Sequence, residues 1–101
     1  MPALVLCASD ALMESTPVEI VASGKVFAVV SVRGQISVLD GICAHAGGPL
    51  GKGSMRNNIV TCPWHGWQFN VETGRHCLND RICQTTYPAR IENGFVVIDV
   101  D

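Results

Sequence analysis

Apolar residues come along this chain in short runs, rich in valine and isoleucine and punctuated by Gly, Asn and Asp. That spacing predicts an all-β protein. Residues 4–7 read as a strand and residues 18–21 as a second, with a single helical turn over 9–14 between them, capped by Ser9. Residues 26–32 and 35–39 flank Arg33-Gly34, which suits a tight hairpin, and Ile36 and Val38 alternate with Gln35 and Ser37 along the second strand. Another hairpin is predicted from residues 87–91 and 95–100, joined by Glu92-Asn93-Gly94. Asn-Gly supplies the positive φ values that such a turn needs.

The stretch 41–74 breaks this rhythm. It holds seven of the ten glycines, together with Pro49 and Pro63, and only short strands are expected in it, at 58–61 and 67–71. Loop-rich inserts on a β scaffold are where function concentrates.

Composition narrows the classes. With 48% hydrophobic and 16% charged residues, the chain folds around a core rather than remaining disordered. Its 101 residues make one domain. Seven Lys and Arg against nine Asp and Glu give a net charge of -2, and no basic cluster offers the phosphate neutralisation that nucleic acid requires. No apolar run approaches the roughly 20 residues of a membrane span, and the N-terminus has no basic region or cleavage site of a secretory signal. The expectation is therefore a cytoplasmic chain with no membrane and no nucleic-acid partner. Five cysteines, an odd number, fit a reducing compartment, in which clustered Cys and His mean metal or catalysis.

Such a cluster lies in the insert. Cys43-Ala44-His45 and Cys62-Pro63-Trp64-His65 each place a cysteine and a histidine in a loop fenced by Gly or Pro. Core packing accounts for buried cysteines, but not for two loops that repeat Cys before His. A zinc finger groups its cysteines on one element and its histidines on another. A binuclear iron centre, with two thiolates on one iron and two imidazoles on the other, takes one of each from each loop naturally. Zinc, holding a structural interaction module together, is the alternative.

The segments Cys43-Ala44-His45-Ala46-Gly47-Gly48-Pro49-Leu50 and Cys62-Pro63-Trp64-His65-Gly66-Trp67 resemble the two ligand loops of the Rieske [2Fe-2S] family. The resemblance implies a single Rieske domain: a base of packed antiparallel β-sheets, a β-sandwich from residues 1–40 and 75–101, carrying a loop-rich cluster-binding subdomain over 41–74. It implies one [2Fe-2S] cluster, with Cys43 and Cys62 on one iron and His45 and His65 on the other, at an exposed tip. Gly47, Gly48 and Gly66 would let backbone approach the cluster, Pro49 and Pro63 would stiffen the loops, and Trp64 would shield the cluster or join Pro49 in a docking rim. Trp67 is expected to pack inward, His76 to lie on the surface, and Cys7 to be core.

Members of the family in quinol-oxidising complexes add a disulfide where this chain has Gly48 and Trp64, and hydroxyls where it has Trp67 and Phe69. With those donors missing, a potential at the low end of the Rieske range, about -150 mV, is expected. The resemblance implies a one-electron carrier between a reductase and a larger oxidoreductase such as a ring-hydroxylating oxygenase. It implies no catalysis by the chain alone, because a two-His-one-carboxylate iron site would have only His76 left. The segment from Asp80 to Pro88 is similar to one in the small subunit of NAD(P)H-dependent nitrite reductase, whose large subunit is the alternative partner.

Overall fold

The computed structural model describes residues 3–43, 47–64, 66–78 and 81–100. Among these residues ten strands form three antiparallel sheets. The chain runs through β1 (Ala3–Ala8), a 3-10 turn (Ser9–Ala11), β2 (Val18–Ala22), β3 (Lys25–Val32) and β4 (Gln35–Asp40). It continues through a second 3-10 turn (Leu50–Lys52), β5 (Ser54–Arg56), β6 (Ile59–Thr61), β7 (Gln68–Asn70), β8 (Thr86–Tyr87), β9 (Ala89–Glu92) and β10 (Phe95–Asp99). The sheet orders are β1-β10-β9, β2-β3-β4-β8 and β5-β6-β7. Among the described residues no helix is long and apolar enough to cross a membrane.

β3 explains how the sheets stack. Side chains alternate along a strand, and here both faces are buried. Phe27 and Val29 join Leu6, Val38, Val96 and Ile98 in one core. Ala28, Val30 and Val32 join Leu39, Leu50, Val60, Phe69, Val71 and the two cysteines Cys43 and Cys62 in the other. The nearly continuous apolar run of β3 is the mark of a strand covered on both sides.

Both predicted hairpins form, with two-residue turns in the left-handed region at Arg33 (φ 50°) with Gly34 (81°) and at Asn93 (52°) with Gly94 (83°). Several boundaries differ from the sequence reading. Tyr87 is not in the terminal hairpin. It pairs with Val38 in the middle sheet, and Pro88, which has no N–H to give a ladder, separates it from β9. Glu92 ends β9, pairing with Phe95, and leaves the turn to Asn93 and Gly94. Ser9 does not cap the first turn but lies inside it; Ala8 is the cap residue, with no side-chain bond. The β2–β3 turn at Ser23-Gly24 and the short β5, joined to β6 through Asn57 at φ 54°, were not legible in the apolar pattern.

The middle sheet is tied at its edge by polar bonds. The Tyr87 hydroxyl donates to Asp40 Oδ1 (2.5 Å) and accepts from Lys25 Nζ (2.8 Å), and its ring meets Phe27 edge-on at 5.3 Å. Burial and the bond to Asp40 push the hydroxyl pKa above its ordinary value of 10.0, against the pull of Lys25. A group whose pKa is raised on folding stabilises the fold below the unfolded value and loses that contribution as pH rises through the folded one. Tyr87→Phe is expected to lower stability by about 1 kcal/mol at neutral pH, read as a urea midpoint, and to leave a shallower loss of stability above pH 10.

Candidate metal centre

Two loops of matching construction carry the cysteines. Cys43 follows β4, and its N–H donates to Gly48 O (2.8 Å), while Gly47 N–H donates back to Cys43 O (3.0 Å). Ile42 and Pro49 pair across the neck as an isolated antiparallel bridge, and Leu50 N–H reaches Gly41 O at 2.9 Å. In the second loop, between β6 and β7, Cys62 N–H donates to Trp67 O at 2.7 Å. Each cysteine thus closes its loop by bonding to the carbonyl five residues on. Gly47 (φ 75°) and Gly66 (φ 72°) turn the loops through the left-handed region, which glycine enters without cost.

The cysteines are 3% and 1% exposed, and both are free thiols. Burial raises the Cys62 thiol pKa above the ordinary range. The Trp64 N–H, 3.4 Å from Cys62 Sγ, works the other way, favouring the thiolate, and the neighbouring Cys43 thiol raises it further. Two buried, unbridged thiols side by side, with a backbone N–H aimed at one sulfur, could serve as thiolate donors to a metal. Gly48 completes the cradle. A Cβ there would lie 2.6 Å from Cys62 Sγ and 2.9 Å from Trp64 Cβ, so positions 48 and 64 adjoin one another across the two loops.

His45 and His65, with Ala44 and Ala46, lie outside the described residues. Of the remaining sequence-derived positions, Gly47, Pro63, Trp64 and Gly66 are exposed, Pro49 is half-buried and Gly48 is buried. The Trp64 indole stands 51% exposed. Trp67 packs against the core that holds the cysteines, and Cys7 is half-buried against the other core. Cys77 and Cys83 are exposed.

His76 departs from its expected surface position. It is half-buried, edge-on to Trp67 at 4.5 Å and to Phe69 at 5.3 Å, and its Nδ1 accepts the Leu78 N–H at 3.0 Å. The cause is an irregular hairpin, Arg75 opposite Cys83 with His76 N–H on Ile82 O, which folds the segment back over β7. Gln84, buried at 2%, is the residue that sequence reasoning missed. It sits in a polar stretch without periodicity, and nothing in its neighbours signals burial.

A sequence profile described as the Rieske [2Fe-2S] domain matches residues 3–88. The chain belongs to the Rieske [2Fe-2S] family. Its cofactor is accordingly one Rieske-type [2Fe-2S] cluster and its work is electron transfer, which sets aside the structural-zinc alternative. Among Rieske relatives, the ferredoxin component of the p-cumate 2,3-dioxygenase system of Pseudomonas putida is 31% identical over 94% of this chain and 83% of its own length. The solved ferredoxin of Sphingomonas yanoikuyae B1 is 32% identical, covers 99% of this chain and 100% of its own, and superposes with a TM-score of 0.91. A Mycobacterium tuberculosis protein assigned as the small subunit of an NADH-dependent nitrite reductase shares the Rieske fold at a TM-score of 0.88, covering 99% of this chain and 96% of its own at 19% identity.

Proposed function

We propose that this chain is the ferredoxin of a multicomponent oxygenase, carrying single electrons from a reductase to a terminal oxygenase in the cytoplasm. Cys43 and Cys62 would hold one iron of its cluster, and His45 and His65 the other. The observation that carries this is the pair of buried, adjoining thiols at the necks of two matching loops. When bound, the cluster supplies reversible uptake of one electron.

The chain's own residues shape that chemistry. The Trp64 N–H stabilises negative charge at the Cys62 sulfur, while Phe69 and Val60, fully buried beside the cysteines, keep water from them on the core side. Neither Trp67 nor Phe69 brings a hydroxyl donor. Residues 41–74 serve as the cluster-binding part, on a base of 1–40 and 75–101. Gly47, Pro49, Pro63, Trp64 and Gly66 would form the docking rim. Between Gly41 and Val71 the only charges are Lys52 and Arg56, so docking there is apolar and short-lived. The 31% and 32% identities to the ferredoxin components of the p-cumate and naphthalene dioxygenase systems favour an oxygenase as acceptor.

Anaerobic visible and EPR spectra, with iron and acid-labile sulfide assayed on the same sample, test this reading. The expected result is a [2Fe-2S] stoichiometry, a reduced signal of low average g and a potential of about -150 mV; a value above about +100 mV contradicts it. Reoxidation of the reduced protein by a ring-hydroxylating oxygenase, and not by the large subunit of a nitrite reductase, is the expected partner preference.

A further inference from the structure

The middle sheet ends in an unusual way. Leu39 pairs with Thr86, and Asp40 N–H donates to Thr85 O at 2.9 Å, after which backbone pairing stops. The side chain of Gln84 takes over. Its amide nitrogen donates to Asp40 O (2.7 Å) and Ile42 O (2.5 Å), using both of its protons and carrying the ladder up to the carbonyl that precedes Cys43.

The same residue reaches toward the second loop. Gln84 N–H donates to Gly74 O at 2.6 Å, and Gly74 N–H donates to Asn70 O at 2.7 Å. Asn70 ends β7, the strand that leaves the Cys62 loop. No slack exists at this joint, because a Cβ on Gly74 would lie 2.0 Å from Gln84 O.

We propose that Gln84 is a positioning residue for the cluster: by bolting the approach to the Cys43 loop onto the segment that leaves the Cys62 loop, it sets the spacing of the two sulfur ligands. This rests on the reading of Cys43 and Cys62 as ligands. Without the amide, the part-buried carbonyl oxygens of Asp40 and Ile42 lose these donors and must turn to find others. Residue 42 turns with them, and Cys43 is the next residue.

The test compares holoprotein of the unaltered chain with Gln84→Leu and, as control, Tyr87→Phe, which removes polar bonds at the same sheet edge without touching the Ile42 carbonyl. Gln84→Leu is expected to release iron to a chelator about tenfold faster or more and to broaden or shift the EPR g values of the reduced state, with a changed reduction potential. Tyr87→Phe is expected to lower thermal stability and leave all three signals unchanged. Equal thermal losses in both variants, with EPR, potential and iron release as in the unaltered protein, would overturn the proposal. If Gln84→Leu does not fold, Gln84→Glu replaces it. Desolvation and the two facing carbonyls would raise its carboxyl pKa well above the ordinary glutamate range; protonated it can still donate one hydrogen bond, while its carboxylate repels both carbonyls, so iron release should rise from pH 6 to 8 more steeply than in the unaltered protein. Equal pH dependence, or failure of both variants to fold, also overturns it. An unaltered protein without a [2Fe-2S] cluster would instead defeat the ligand reading itself.

Discussion

Gly48→Ala is expected to fold but to retain its cluster about 10–100-fold less well than the unaltered protein. The added methyl carbon would stand 2.6 Å from Cys62 Sγ and 2.9 Å from Trp64 Cβ and Cγ, inside the contact distance of either pair. Neither side can retreat without breaking its own contacts. The Gly48 carbonyl is held by Cys43 N–H, and Cys62 is packed into the core at 1% exposure. The sulfur must therefore leave its place, and with it the ligand geometry. Gly47→Ala makes the contrasting case, since among the described residues nothing lies within 4 Å of a Cβ there; its cost is the backbone strain of a left-handed residue, about 1–2 kcal/mol, with the cluster kept. Iron per chain and far-ultraviolet circular dichroism on both variants separate a displaced ligand from a lost fold. Full iron content in Gly48→Ala would show that Cys62 has room to move.

The second large effect belongs to Phe69→Ala. The ring is fully buried, pairs across from Val60 and is in contact with Trp67 and His76. Removing it deletes the largest side chain of the core that contains the two cysteines, a change that costs about 3–5 kcal/mol. For a domain of this size each kcal/mol lowers the thermal midpoint by about 4–8 °C, so a fall of about 12 °C or more is expected. Small proteins have about 5–15 kcal/mol of stability, and at the lower end of that range the loss leaves a measurable unfolded fraction at room temperature. Trp64→Ala should cost far less, because half of that indole is already in water.

What could be read from the residues, and what could not, follows a physical line. The strands were legible where an apolar run is bounded by a turn pair of known geometry, as at Arg33-Gly34 and Asn93-Gly94. β5 was not, because Ser54, Met55 and Arg56 offer a single polar-apolar-polar triplet, too short to establish a period. The two cysteine loops announced themselves through their repeated order of residue types, and the structure places Cys43 and Cys62 beside one another. His76 and Gln84 gave no such signal. Their burial is decided by chain segments far away in sequence, Trp67 and Phe69 for one, Asp40 and Ile42 for the other, and no local pattern encodes it.

β3 has both faces covered, one by the terminal sheet and one by the sheet and loops that bear the cysteines. Peeling away either layer would expose Phe27 and Val29, or Ala28, Val30 and Val32, to water at once. Neither layer therefore offers a low-energy opening of its own, and the amide protons of β3 should exchange only when the whole molecule comes apart. Loading and folding would then be drawn into one cooperative unit: iron held through Cys43 and Cys62, as proposed, would by the same contacts grip the centre of the chain.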